Sequence, residues 1–188
     1  MTITIGVDID AVLTCEGSGE DNIWHRHLCD YFDLEGREST AYDFTKAYDI
    51  TEEEIKEFMA SQGLEVFKKV PPRPNAISVL NELKKKDYNI ILVTARGNDL
   101  KDITSQWLAK HKVPYDELIH DDQKADVCED KGIELFIDDR LKNLLSIKDQ
   151  LDIPVLLMTM THNQEYNGKI PRVKNWLEIK EKINKYLG

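Results

Sequence analysis

Short apolar runs, separated by stretches of helical spacing, constrain the fold of this chain more than any other feature of its sequence. Five runs are rich in apolar and β-branched residues and are bounded by polar ones: 3–9, 90–94, 134–138, 154–158 and the weaker 116–120. Continuous runs of this kind are typical of parallel strands that are buried on both faces. The sequence therefore predicts a parallel sheet covered on both sides.

Helical patterns lie between these runs. In residues 75–87, Ile77, Leu80 and Leu83 recur at a spacing that places them on one face of a helix. Further segments with a helical pattern are 98–111, 123–131, 140–150 and 173–187. Because strands that alternate with helices indicate βαβ units, we predict an α/β fold with a doubly wound parallel sheet.

The stretch of residues 15–70 interrupts this alternation. It carries no strong strand pattern, and its segments 21–32 and 51–61 have the character of helices before the proline-rich sequence VPPRP returns the chain to the sheet. We therefore predict a core domain of residues 1–14 and 71–188 and a small helical cap of residues 15–70. Ligands bind beyond the carboxyl ends of the strands in such sheets, so a cap at this position would cover the site and exclude water.

The acidic composition limits the partners. With 188 residues, of which 41% are hydrophobic, the chain is long enough for one domain with a core. Its formal net charge of −10 argues against a nucleic-acid polymer as partner, because binding to that backbone needs basic patches. A small anionic substrate is not excluded, since a metal ion and a few cationic groups can reverse the local field.

The cysteines and the first residues favour a cytoplasmic location. Cys15, Cys29 and Cys128 form no CxxC pair, and their odd number suits free thiols in a reducing compartment. Asp8 and Asp10 interrupt the early apolar run, so we expect no signal peptide. No apolar stretch approaches the roughly 20 residues of a membrane helix, and we expect no membrane partner. The oligomeric state is not set by the sequence, and a homodimer remains open.

Acids, a hydroxyl and a lysine lie where the predicted strands end. Two aspartates close the first run, and on a continued strand both would leave from one face and repel each other without a nearby cation. The residues concerned are Asp8 and Asp10, Thr94, Lys124 before the third strong run, and Asp138 with Asp139. Because the carboxyl ends of parallel strands share one edge of the sheet, these groups should converge there.

Such a group of side chains suits phosphoryl transfer. Carboxylate and carbonyl oxygens are the ligands that Mg²⁺ takes, together with water and substrate phosphate. One aspartate can attack phosphorus as a nucleophile, and a second can donate a proton to the leaving oxygen and later accept one from water. A lysine and a hydroxyl can hold the phosphoryl oxygens while their charge changes.

The same residues carry a resemblance to a known family. The sequence DIDAVLT at 8–14, the sequence ILVT ending at Thr94, Lys124, and the acid pair at 138–139 follow one another as the four motifs of the haloacid dehalogenase superfamily do. The insertion between the first two motifs resembles the C1 class of caps in that family.

The resemblance implies a role for each of these residues. Asp8 would be the nucleophile and Asp10 the general acid and base. Mg²⁺ would be bound by Asp8, by the carbonyl of Asp10, and by Asp138 with Asp139. The substrate phosphate would be bound by Thr94, Ala95, Arg96 and Lys124. Retention of Asp10 favours a phosphatase, since the dehalogenase branch lacks that residue.

A finer resemblance points to the branch of cytosolic 5'(3')-deoxyribonucleotidases and their bacterial relatives. It rests on the small cap, on the layout of residues 70–96 and on the sequence RVKNWLEI near the end. We therefore expect a Mg²⁺-dependent 5'-nucleotidase of nucleoside or deoxynucleoside monophosphates. Ala11 stands where the family usually has glycine, and TCEGSG at 14–19 departs from the usual continuation, which leaves the substrate class open.

Several alternatives stay open at this point. The substrate could be a non-nucleotide ester such as a sugar phosphate, or the site could serve a non-catalytic module that binds metal or phosphate. Lys131 competes with Lys124 for the third motif, although its place at a helix end before Gly132 favours a lysine in any case. Arg96 could bind a substrate anion or pair with an acid. One or two aromatic residues of the cap could stack on a base: Trp24, Tyr31, Phe32, Tyr42 and Phe44.

Overall fold

The computed structural model describes residues 2–188, and within them six strands form one sheet whose pairings are all parallel. The strands are β1 (Thr4–Val7), β2 (Asn89–Thr94), β3 (Glu117–His120), β4 (Leu135–Asp138), β5 (Val155–Met158) and β6 (Arg172–Val173). Their order across the sheet is β3-β2-β1-β4-β5-β6. The predicted doubly wound α/β fold is confirmed.

The centre of the sheet is the point at which the chain changes direction. From β1 it steps outward to β2 and β3, and it then returns to place β4 on the other side of β1. Val7 pairs with Leu92 of β2 and with Ile137 of β4. A crevice opens where the strand order reverses, and such crevices bind ligands in this class of fold. Asp8 directly follows β1 and Asp138 ends β4, the two strands that border it.

Helices cover both faces of the sheet. They are α1 (Ile23–Phe32), α2 (Phe44–Tyr48), α3 (Glu52–Phe58), α4 (Leu64–Lys69), α5 (Ala76–Lys85), α6 (Lys101–Lys110), α7 (Lys124–Asp130), α8 (Leu141–Gln150) and α9 (Trp176–Leu187). One apolar core lies beneath α5, α6 and α9 and includes Leu80, Trp107 and Trp176. The other lies beneath α7 and α8 and includes Cys128 and Leu144. In the part of the chain that the structure describes, no helix combines the length and the apolar character needed to cross a membrane.

The first strand is shorter than its apolar run. The run covers residues 3–9, but the strand ends at Val7 because the chain turns directly after Asp8. The backbone N–H groups of Leu13 and Thr14 both donate to the carbonyl of Ile9, at 2.9 and 3.0 Å. Asp8 and Asp10 therefore do not share one face of a continued strand.

Residues 15–70, called the inserted segment below, contain α1 to α4 and a separate apolar cluster. Trp24, Leu28, Tyr48, Phe58 and Phe67 are buried in that cluster. A five-residue π-helical turn, Met59–Gly63, joins α3 to α4, so the predicted helix at 51–61 belongs to a longer helical stretch. The separate cluster supports the division into a core and a cap, which we retain as a proposal.

Backbone hydrogen bonds join the two ends of the inserted segment where they meet the core. The N–H of Cys15 donates to the carbonyl of Pro71 at 2.7 Å, and the N–H of Arg73 donates to the carbonyl of Leu13 at 2.8 Å. Thr14 and Pro72 form an antiparallel bridge between these two hydrogen bonds. The segment therefore enters and leaves the core through one pair of adjacent chain crossings.

Candidate active site

The turn after β1 places the first acids at the crevice. The N–H of Asp8 donates to the carbonyl of Ile137 at 2.9 Å, which continues the ladder between β1 and β4. Ala11 has a φ of 60°, and its N–H donates to the hydroxyl of Thr14 at 2.9 Å. Glycine adopts this left-handed conformation freely, whereas it costs an alanine about 1 kcal/mol. Ala11 thus keeps the turn for which the resembling family uses glycine.

Lys124 lies between two acids at the centre of the site. Its ammonium group donates to Oδ1 of Asp8 and, at 2.8 Å, to Oδ2 of Asp138. All three side chains are almost completely buried, with 3% of Lys124 and 1% of Asp138 exposed. Lys131, the rival lysine, lies instead on the surface with Glu117, at 2.8 Å. The geometry therefore favours Lys124 over Lys131 as the lysine that contacts the acids.

Asp138 and Asp139 are fixed by contacts with the start of α8 and with the loop after β5. Oδ1 of Asp138 accepts the backbone N–H of Arg140 at 2.8 Å, and Oδ2 accepts the side-chain amide of Asn143 at 2.9 Å. A carboxylate oxygen of Asp139 lies 3.2 Å from Nε2 of His162. These contacts orient both carboxylates, and the sequence pattern had not identified Asn143 as part of the site.

The carboxylates of Asp8, Asp138 and Asp139, called the acid cluster below, are the kind of ligands that a hard divalent cation prefers. Each offers one carboxylate oxygen, and these three oxygens lie within 4.8 Å of one another in a buried place. Burial raises the pKa of Asp8 well above its usual range, and the charges of Asp138 and Asp139 act in the same direction while Lys124 opposes them. Burial likewise raises the pKa of Asp139. A bound cation such as Mg²⁺ would offset this repulsion, so the residues fit the ion.

Mg²⁺ is expected to stabilise the folded protein. An ion that binds the native acid cluster at 100 times its Kd adds about 2.7 kcal/mol to the free energy of unfolding. Thermal unfolding in Mg²⁺ and in chelator measures this effect, and Asp139→Asn should reduce the shift of the midpoint. The exposed Asp149→Asn is the matched control and should keep the full shift. Equal midpoints in Mg²⁺ and in chelator would contradict a metal site here.

The residues after β2 divide between two places. Thr94 is fully buried at the end of β2, and its hydroxyl accepts the N–H of Arg96 at 3.2 Å. Ala95 is exposed. The guanidinium group of Arg96 pairs with the carboxylate of Asp10 rather than with the acid cluster. The structure thus brings Asp8, Lys124, Asp138 and Asp139 together and places the Asp10 side chain in a separate pair beside them.

A cavity of about 390 Å³ lies between the acids and the inserted segment. Asp10 and Asp139 line its floor, and aromatic side chains of the inserted segment line its wall: Trp24, Tyr42, Phe44 and Phe67. Trp24 packs edge-on against Phe67 with ring centroids 5.0 Å apart. Tyr31 and Phe32, two of the predicted stacking candidates, pack instead against Phe58. The aromatic wall therefore contains three predicted residues and adds Phe67.

Tyr42 connects the inserted segment to the loops of the acid cluster. The guanidinium carbon of Arg140 lies 4.7 Å from the centroid of the Tyr42 ring, and the ring of His162 meets it edge-on at 4.9 Å. His162 in turn contacts Asp139. Tyr42 is nevertheless half exposed, so its ring is accessible from the cavity that it lines.

Comparisons with known proteins agree with this architecture. A hydrolase from Streptococcus pneumoniae, named a haloacid dehalogenase-like family protein, superposes with a TM-score of 0.68 at 14% identity over 97% of this chain and 98% of that one. A structure from Clostridium acetobutylicum, named a "predicted phosphatase", gives 0.67 at 16% identity over 98% and 99% of the two chains. The chain has the haloacid dehalogenase fold. The fold that the resemblance implies is thereby confirmed.

Sequence relatives of similar length also exist. A Bacillus subtilis protein named "Putative nucleotidase YqfW" is 29% identical over 185 residues, which is 97% of this chain and 94% of that protein. No family model matches the chain. The relative and the solved structures thus align with nearly the whole sequence, inserted segment included.

Glu16 contacts the cavity, although the sequence pattern did not identify it as a site residue. It lines the cavity together with Asp10 and Asp139, and burial with the repulsion of these two charges raises its pKa to about 8. Its position falls in the stretch 14–19, where the chain departs from the haloacid dehalogenase pattern. That departure was the available signal, but it did not show that the Glu16 side chain reaches the cavity.

Proposed function

We propose that this protein is a Mg²⁺-dependent phosphatase of small phosphate monoesters, with nucleoside monophosphates as the leading substrate class. The observation that carries the proposal is Lys124, buried between Asp8 and Asp138 at the carboxyl end of the central strands. A cation in that place can hold a phosphoryl oxygen beside a carboxylate nucleophile. The fold of known hydrolases and the nucleotidase name of a relative support the same reaction class.

The first half of the proposed reaction transfers the phosphoryl group to the protein. An oxygen of Asp8 attacks phosphorus, the bond between phosphorus and the ester oxygen breaks, and the leaving oxygen takes a proton from Asp10. Thr94 and Lys124 bind the phosphoryl oxygens during the transfer. Mg²⁺ bound by the acid cluster would neutralise charge on the phosphoryl group and so let a carboxylate approach it.

The second half releases inorganic phosphate. Asp10, now ionised, accepts a proton from a water molecule that attacks the phosphorus of phosphorylated Asp8. The bond between phosphorus and the Asp8 oxygen breaks, which frees phosphate and restores the carboxylate. Asp10 ends this step protonated, ready to act as an acid in the next cycle. The side chain of Asp10 lies at the cavity and outside the acid cluster, as this role requires.

The cavity supports a nucleotide as substrate. Its volume of about 390 Å³ falls in the range of small-molecule sites, and aromatic rings form its wall above the acids. A base could stack on Trp24, Tyr42 or Phe44 while the phosphate reaches Lys124. Free cysteines at positions 15, 29 and 128 fit a reducing, cytoplasmic compartment, which we include in the proposal.

Phosphate release from a panel of esters tests the function. Deoxynucleoside and nucleoside monophosphates should be cleaved, sugar phosphates more slowly, and all release should stop in chelator. Release from sugar phosphates alone would keep the reaction and reject the nucleotide class. A protein that binds Mg²⁺ but releases phosphate from no ester would instead be a non-catalytic binding module.

A further inference from the structure

Arg96 makes a two-pronged contact with Asp10. Its Nε donates to Oδ2 of Asp10 at 2.9 Å, and its Nη2 donates to Oδ1 at 2.5 Å. Within residues 2–188, these are the hydrogen bonds that the Asp10 carboxylate accepts. A parallel pair of bonds of this kind fixes the plane of a carboxylate as well as its distance.

The guanidinium group is itself fixed from two other directions. Its Nη1 donates to the hydroxyl of Thr104 in α6 at 3.1 Å, and its carbon lies 4.3 Å from the ring centroid of Phe67 in α4. Only 2% of the Arg96 side chain is exposed, whereas 34% of the Asp10 side chain is exposed and Asp10 lines the cavity. Arg96 thus forms a buried support whose partners come from both the core and the inserted segment.

We propose that Arg96 is a positioning residue that orients the Asp10 carboxyl group toward the leaving oxygen. Because Phe67 packs on Arg96, this orientation depends on the inserted segment. The inference rests on the proposed function. Each oxygen of Asp10 keeps a second lone pair beyond its bond from Arg96, so one oxygen can carry the proton while the plane of the carboxyl group stays fixed. An unsupported aspartate instead samples several rotamers. Nε and Nη2 of Arg96 both bind Asp10, so the substrate phosphate is bound by Lys124 and Thr94 instead.

Two esters with different leaving groups test the proposal. A nucleoside monophosphate releases an alcohol, whose oxygen must gain a proton as the bond breaks. p-Nitrophenyl phosphate releases a phenolate that leaves without one. The quantity to compare is kcat/KM, because it covers only the steps up to release of the alcohol or phenolate. The later hydrolysis of phosphorylated Asp8 is common to both esters and does not enter.

Arg96→Lys keeps the charge but loses the two-pronged contact. We expect it to lower kcat/KM for the nucleotide by about 10²-fold, the scale of a small misplacement of a reacting group, and to lower it for p-nitrophenyl phosphate by less than about threefold. Asp10→Asn should give the same selective loss in stronger form. Phe67→Leu should give it in weaker form, and the exposed Arg26→Lys is the control that changes neither value.

The outcomes separate the inference from the function. If Arg96→Lys and Phe67→Leu lower kcat/KM equally for both esters, or for neither, the positioning role is overturned while the phosphatase stands. If the wild-type protein cleaves neither ester, the function and the inference fall together. Thermal unfolding of each variant shows whether a loss reflects misfolding. Selective loss in folded Arg96→Lys supports the role. Because Phe67 also lines the cavity, its variant supports the role only if kcat at saturating nucleotide falls as well.

Discussion

Replacing Asp8 with asparagine is expected to lower phosphate release at least about 10³-fold without unfolding the protein. The amide oxygen of asparagine has nearly the same shape as a carboxylate oxygen but is a far weaker nucleophile, and loss of a nucleophile removes most of an enzyme's rate enhancement. Lys124 keeps its hydrogen bond to Asp138 in the variant, so the buried cation remains paired. Release of inorganic phosphate from the best ester of the panel measures the effect.

Asp149→Asn is the matched control for this substitution. It makes the same chemical change at an exposed position of α8, away from the acid cluster, and should retain wild-type activity. Thermal unfolding of both variants checks that the fold is intact. Near-normal phosphate release by a folded Asp8→Asn protein would refute the nucleophilic role of Asp8 and with it the proposed mechanism.

Replacing Lys124 with methionine should give the largest loss of stability. The substitution leaves Asp8 and Asp138 buried without their shared cation, and removing one partner of a buried ion pair costs about 3–5 kcal/mol. Urea unfolding in chelator measures this loss. Mg²⁺ should recover part of it, because an ion at the acid cluster again compensates the carboxylates. Phosphate release should be lost in either condition.

Lys131→Met separates the two candidate lysines. Lys131 pairs with Glu117 on the surface at 2.8 Å, and exposed pairs contribute little to stability. This variant should unfold close to the wild type and keep its activity. If instead Lys131→Met lost activity and Lys124→Met kept it, the assignment of the third motif to Lys124 would be wrong.

The strands and most helices follow from local sequence because their apolar residues are continuous or periodic over several turns. The strong runs at 3–9, 134–138 and 154–158 each contain a strand of the sheet, the run at 90–94 matches β2 except for Asn89, and the weaker run at 116–120 contains β3. Among the strands and α-helices described, α2, α4 and β6 were not predicted. They have five, six and two residues, which is too short for a periodic pattern, and Val173 of β6 lies in the segment 173–187 that was predicted as helix.

The site divides in the same way between local and long-range information. Strand ends determine where Asp8, Thr94 and Asp138 lie, so a parallel sheet is enough to bring them to one edge. The partner of Arg96 was left open by the sequence, because the choice depends on how α4 and α6 pack beside the turn after β1. The sequence did not identify Glu16 and Phe67 for a similar reason, since only the placement of the inserted segment brings them to the cavity.

The paired chain crossings at Thr14 and Pro72 have a consequence for how such proteins diversify. The inserted segment is a closed loop whose ends already meet, and doubling the length of such a loop costs only about 0.6 kcal/mol in closure entropy. Its helices can therefore be lengthened, shortened or exchanged while β1 keeps its register with β2 and β4. Selection for a new substrate can therefore act on the helices of the inserted segment while the strands that carry the acids keep their pairing.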